Sequence, residues 1–378
     1  MEQQVEVAVD SAGRLIISAP GVTFKLVPAA EPPPVDPPPV DPPPVDPPPV
    51  DPPAVGTGYI WVDVAALRKK TQSGAAWEAM LKAAKADPGT PSVENQDSKF
   101  NTNLQAAAYV YACTGDTTFL NKVLGGLRSI VSPSLKIGRA LALAREVPGL
   151  IAAAEGIELS QVDPDLHELF KTKLRYFLTC PTSGGGPATL VKSQEQRPNN
   201  WGTHASCARV MIARYIGDAA ELERAVQVFK GFLGDRASYA GFEYGELDWQ
   251  ANQKNPVGIN PQGSTINGHS VDGALPEELR RAGGFTWPPG KTDYCWEAEQ
   301  GITATIAVLE NAGLPAKSWS DQAHLRSIKW LYDVAGWPPS GDDNWQPAVI
   351  NALYGTNYPV ASGASAGKNL GWAEFSHQ

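Results

Sequence analysis

The chain is short of basic charge, of cysteine and of long apolar runs, and each shortage removes a class of protein. Lys and Arg number 31 against 40 Asp and Glu, a formal net charge of −9. A nucleic-acid binder carries a basic face, so nucleic acid is excluded as a general partner. A polyanionic ligand is not excluded, because a few arginines in a cleft act locally against an acidic background. No stretch approaches the ~20 apolar residues of a membrane span, so no membrane partner is expected. The opening MEQQVEVAVDSAG lacks a basic region followed by an apolar one, so no signal peptide is read. The four cysteines (Cys113, Cys180, Cys207, Cys295) are far apart and form no CxxC pair, which predicts free buried thiols rather than a zinc site or a disulfide framework. No acidic run has calcium-loop spacing, and neither metal nor cofactor is expected.

What is abundant is aromatic and proline residues: 11 Trp, 11 Tyr, 10 Phe and 34 Pro. Several Trp stand beside Gly, Asn or Pro rather than inside apolar runs. A pyranose ring presents C–H groups to an indole face, so this placement suits sugar stacking; ordinary core or rim packing is the structural alternative.

The chain reads as three parts. Residues 1–30 hold two β-rich runs, Val5–Val9 and Leu15–Ser18, around the turn Asp10-Ser11-Ala12-Gly13, which predicts a hairpin with a third strand near Val22–Leu26. So short a piece buries too little to fold alone and is expected to dock on a partner. Residues 31–57 carry the PPPVD unit at a period of five. Proline fixes φ and removes donors, so residues 32–53 are expected to form a polyproline II spacer of roughly 70 Å. Its motif lacks the flanking basic residues of an SH3-type ligand.

Residues 58–378 carry helical periodicity over Ala65–Ala86, Asn103–Thr114, Thr117–Ser132, Ile137–Glu155, Asp163–Leu178, His204–Ile216, Ala219–Leu233 and Glu297–Ala312. Stops fall at Asp87-Pro88-Gly89, Gly115-Asp116, Gly156, Gly217-Asp218 and Gly313. Paired helices joined by Gly-Asp turns suggest an all-α, (α/α) toroid or incomplete-barrel domain. The stretch 234–296 is instead rich in Gly, Asn, Pro and aromatics, and a long loop of that kind is usually functional.

Three segments concentrate polar and aromatic residues: Arg197-Pro198-Asn199-Asn200-Trp201-Gly202-Thr203-His204; Asn267 through Asp272-Gly273-Ala274-Leu275-Pro276-Glu277-Glu278-Leu279-Arg280-Arg281 to Tyr294; and the tail from Gly341 to Phe375. The NNWG…H run opening a helix, DGALPEELRR followed by Tyr294, and the terminal GKNLGWAEFSH resemble the alginate-lyase superfamily over roughly residues 59–378. The resemblance implies a toroid whose cleft binds an acidic polysaccharide and cleaves it by β-elimination with an Asn, a His, an Arg and a Tyr. Asn200 matches the Asn, Arg280 or Arg281 the Arg, and Tyr294 the Tyr. The expected His position holds Trp201, so His204 or His269 is the substitute, or Tyr294 serves as both base and acid. The chemistry suits that set: an Asn amide and an Arg fork stabilise the charge that grows on a uronate as H-5 leaves, while His or Tyr moves the proton. Asn199, Trp201, Trp249, Trp287, Trp345 and Tyr354 are the expected sugar-binding residues. His167, His324 and His377 read as structural.

Two other readings stay open. One is an (α/α)-barrel glycoside hydrolase using Glu243, Glu246 or Asp248. The other is a non-catalytic glycan-binding adhesin. The hairpin, spacer and enzyme together suggest a phage virion depolymerase docked on tail proteins through residues 1–30, acting in the virion or extracellularly.

Overall fold

The computed structural model describes residues 6–9, 15–18, 58–91 and 93–378. Strands β1 (Glu6–Val9) and β2 (Leu15–Ser18) pair antiparallel, with Glu6 opposite Ser18 and Val9 opposite Leu15. The expected third strand near Val22–Leu26 and the proline-rich spacer lie outside the described residues.

From residue 58 the chain is helical. Its first elements are α1 (Val64–Leu67), α2 (Ala75–Lys85), α3 (Phe100–Thr114), α4 (Thr117–Val131) and α5 (Ala140–Gly156). Then come α6 (Leu159–Val162), α7 (Pro164–Thr179), α8 (Leu190–Gln196), α9 (Asn200–Ile216) and α10 (Ala219–Leu233). The loop-rich stretch follows, with a small hairpin of β3 (Thr265–Ile266) and β4 (His269–Ser270) and the short α11 (Pro276–Leu279). The chain ends with α12 (Tyr294–Asn311), α13 (Trp319–Lys329), α14 (Gln346–Tyr354) and α15 (Ala373–Ser376).

The helices begin where a side chain can satisfy an orphan amide. Asp63, Asp116, Asp163, Thr189, Asn199 and Asp218 each accept a hydrogen bond from a first-turn N–H. Gly115 and Gly217, both left-handed, end α3 and α9. The predicted single helix over Ala65–Ala86 is two, because Gly74 at φ +88° breaks it. Helices α9 and α12 start earlier than their periodicity predicts, at Asn200 and Tyr294.

Four helices (α3, α5, α9, α12) are buried almost all round, whereas α2, α4, α7 and α10 bury one stripe. The buried set runs parallel. Gly149 of α5 abuts Asn101 of α3, and Gly156 abuts Ala108 and Tyr109, so both chains advance together. On α9 and α12, His204 faces Glu297 while Arg214 donates to the Val308 carbonyl at 3.0 Å. The Gly115-Asp116 and Gly217-Asp218 turns fold α4 back along α3 and α10 back along α9. Parallel inner helices, each returned by an outer one, make an (α/α) toroid.

Two polar devices complete the ring. Glu155 accepts the N–H groups of Ile60, Trp61 (2.9 Å) and Val62 (3.1 Å), while Arg214 donates to the carbonyls of Gly58 (2.9 Å) and Tyr59 (3.0 Å). At the other end of the chain, Asn369 donates to the Gln300 carbonyl of α12 (3.1 Å). Gly371 N–H meets Gln105 Oε1 of α3 (3.1 Å), and the Trp372 indole N–H meets the Thr102 carbonyl (2.8 Å). The GKNLGWAEF segment therefore bridges the first and last inner helices and has an architectural role.

Gly301 allows α9 and α12 to cross in backbone contact: a Cβ there would lie 2.3 Å from the Thr203 carbonyl carbon. Gly301→Ala is expected to cost about 2 kcal/mol or more of stability, as overpacking does. A urea unfolding midpoint equal to that of the parent chain would refute this crossing.

Candidate functional site

The site is built where α9 begins. Asn199 caps the helix, its Oδ1 accepting the Trp201 N–H at 3.1 Å. Asn200, the first helical residue, is buried, and its backbone N–H donates to Glu278 Oε1 on α11. The Asn200 carboxamide has no hydrogen-bond partner among the described residues. Asp272 anchors the turn before α11: Arg326 donates to its Oδ1 at 2.7 Å and Gly263 N–H to its Oδ2 at 2.9 Å. That anchored turn, with Pro276 in the first turn of α11, delivers Glu277 and Glu278 to the start of α9.

The two arginines that follow have different fates. Arg280 is held by Glu246 at 2.6 Å and by Glu277, and Gly245 presses against its guanidinium. Arg281 has no carboxylate partner among the described residues, and its guanidinium carbon lies 4.0 Å from the centre of the Tyr294 ring. Tyr294, at the start of α12, is 40% exposed. Glu278 thus meets the Asn200 N–H, and Arg281, three residues further on, lies on Tyr294. Burial pushes the Glu278 carboxyl up to about 8, against the pull of the Asn200 amide and Arg281.

His204 lies deeper than the exposed Tyr294. It is fully buried beneath the crossing of α9 and α12, and neither ring nitrogen has a hydrogen-bond partner. Its Nε2 lies 3.8 Å from Glu297, which is held by Arg145 at 2.5 Å. Burial lowers the imidazole to about 4. A base must touch the carbon acid it deprotonates, and His204 has no exposed surface in this structure with which to do so. His269 sits on β4, its ring stacked on Trp287 at 4.5 Å and 11°, with no contact to Asn200, Arg281 or Tyr294 among the described residues.

The expected sugar-binding aromatics divide. Trp249 and Trp345 are each 1% exposed, so both are core residues: Trp249 packs on Phe285 and bonds the Gly283 carbonyl at 3.1 Å, and Trp345 meets Trp61 edge-on. Tyr354 is occupied by His324, Oη to Nδ1 at 2.9 Å, and His324 is itself buried. Trp201 and Trp287 remain partly accessible. Of the acids considered for hydrolysis, Glu243 pairs with Arg197 at 4.0 Å and Asp248 is exposed. Its own backbone amide and Arg280 hold the exposed Glu246 below the usual carboxylate range, the opposite of what a general acid needs. No cluster suited to a metal occurs among the described residues, and the four cysteines are free.

Sequence reading did not single out Glu278, Glu297 or Arg145. Glu278 stood inside the PEEL motif, but its partner is 78 residues away in sequence, and nothing local signals that pairing.

The buried ionisable groups give the fold a pH signature. Burial raises Glu146, Glu278, Glu299 and Asp343 to about 8, and lowers His204, His324 and His377 to about 4, 3 and 4. The acids stay protonated when folded and ionise when unfolded, so stability falls as pH rises from about 4.5 towards 8. The histidines act oppositely, but only below about 6.5. The thermal midpoint is expected to fall from pH 6.5 to 8 and then level, with a shallower fall in Glu278→Gln. A midpoint rising over that interval would contradict the burial assigned to these acids.

No family model matches the chain, and no curated protein matches it. Among solved structures, the chain is similar to alginate lyase A1-III from Sphingomonas species A1, with 13% identity, a TM-score of 0.48, and coverage of 86% of this chain and 96% of that one. It is also similar to a variant of alginate lyase A1-III complexed with tetrasaccharide, with 14% identity, a TM-score of 0.49, and coverage of 87% and 96%.

Proposed function

We propose that the chain is a polysaccharide lyase that cleaves a uronate-containing acidic polysaccharide, alginate or a bacterial exopolysaccharide, by β-elimination. The observation that carries this reading is the contiguity of Asn200, Glu278, Arg281 and Tyr294. A free carboxamide and an unneutralised guanidinium suit a substrate carboxylate whose charge grows as H-5 departs.

With His204 sealed, Tyr294 takes both proton-transfer roles. Its phenolate removes H-5, the C4=C5 double bond forms as C4–O4 breaks, and the same proton passes to the departing O-4. One group can do both only if H-5 and O-4 lie on one face of the ring. That requirement favours uronates of D-manno or D-gluco configuration over those with O-4 opposite H-5. Trp201 and Trp287 offer stacking surfaces for neighbouring sugars. The depression of Glu246 by its backbone amide and Arg280 speaks against it as the general acid of the hydrolytic alternative.

The test is digestion of polyuronates followed by the ultraviolet absorbance of the unsaturated product. Tyr294→Phe should lower kcat by about a hundredfold to ten-thousandfold, and Arg281→Ala should impair turnover far more than Arg280→Ala. Reducing ends that appear without the chromophore would indicate hydrolysis instead. Binding without any turnover would indicate an adhesin.

The PPPVD spacer motivates a further part of the proposal: residues 1–30 dock the enzyme on a phage tail, and it works outside the cell. Absence of the chain from purified virions would dismiss that part alone.

A further inference from the structure

Arg139 has no role in the site as described. It immediately precedes α5 and is exposed, and its guanidinium carbon lies 6.0 Å from the centre of the Trp201 ring. Arg145, Arg197 and Arg280 all pair with carboxylates, whereas Arg139 and Arg281 have none among the described residues. Each of the two lies on an aromatic ring instead.

The position of Arg139 is built by its surroundings. Gly184, Gly185 and Gly186 run at φ +78°, +82° and +90°, a path that side chains resist. The loop is pinned by Ser183, whose N–H donates to the Gly138 carbonyl (2.9 Å) and whose hydroxyl donates to the Ile137 carbonyl (3.0 Å). A Cβ on Gly186 would lie 2.6 Å from Trp201 Cζ3, and one on Gly184 would meet Arg139 at 3.8 Å. The glycines thus let the loop press on both the indole and the arginine. Trp201 directly follows Asn200 in the first turn of α9, so the pair lies at the same helix end as the candidate site.

We infer that Arg139 and Trp201 form a second uronate subsite, taking an acidic sugar next to the one cleaved. The guanidinium fork binds its carboxylate and the indole face takes its ring. This rests on the lyase reading and narrows the substrate class: a polymer with carboxylates on neighbouring sugars, rather than one isolated uronate among neutral ones. It also gives Trp201 a function at the position where a His was expected.

The experiment is steady-state kinetics on a homopolymeric polyuronate at two ionic strengths. Arg139→Ala should raise KM about tenfold or more with kcat within about twofold, and its KM should depend less on salt. Arg139→Lys should recover only part of the loss, because an ammonium lacks the fork. Arg175→Ala, an exposed arginine on α7, removes the same net charge and should leave KM unchanged. An unchanged KM in Arg139→Ala, a loss confined to kcat, or an equal effect in Arg175→Ala would overturn the subsite. If the wild-type chain yields no unsaturated product, the lyase reading fails separately, and calorimetric titration with oligouronates decides the subsite. Weaker binding in Arg139→Ala than in wild type would support it; equal binding, or none by wild type, would reject it.

Discussion

The hydrogen bond from the Asn200 amide to Glu278 is the joint on which the site depends. It ties the first turn of an inner helix to α11, and so fixes where the next residues of the chain point. Arg280 is turned into Glu246 and Glu277, and Arg281 is left to the Tyr294 ring. The second Glu278 oxygen is buried without a partner. An ionised carboxylate there would be costly, so near neutrality the side chain stays protonated. A neutral acid can accept the Asn200 backbone N–H while leaving the Arg281 guanidinium unneutralised.

The same economy runs through the rest of the inner ring. Thr303 Oγ1 meets His324 Nε2 at 3.0 Å, Ser327 donates to Glu299, and Gln300 donates to Asp343 at 2.8 Å. These contacts tie α12 to α13 and to the loop before α14. Such networks are favourable only when nearly complete, because each orphaned polar atom costs its full desolvation. Small residues let the parallel helices approach closely, as at Gly301 against Thr203 and Gly149 against Asn101, and these polar contacts sit among buried apolar side chains.

Much of the ring was legible in the sequence. Asp116, Asp163 and Asp218 announce helix starts, Gly115 and Gly217 announce stops, and the apolar stripes of α4, α7 and α10 set their period. The site was legible as segments but not as geometry. His204 stands one turn beyond Asn200 and looked accessible, yet α12 covers it, and no local pattern reports that contact. Trp249 and Trp345 sit beside polar residues in sequence and inside the core in space. Arg280 and Arg281 are adjacent and chemically identical. What separates them is their partners: Glu277, three residues before Arg280, and Glu246, 34 residues upstream, hold the paired one.

The parallel course of α3, α5, α9 and α12 has an electrostatic consequence that the net charge conceals. Each helix carries a macrodipole worth roughly half a positive charge at its N-terminus. Four such ends, at Phe100, Ala140, Asn200 and Tyr294, face the same way round the ring. The backbone of an acidic protein thereby contributes positive potential at one end of the ring, the end where Arg139 and Arg281 lie. Its pull is screened over about 8 Å at physiological ionic strength. Under the proposed function, such a field orients a polyanion already at that end of the ring rather than gathering it from afar.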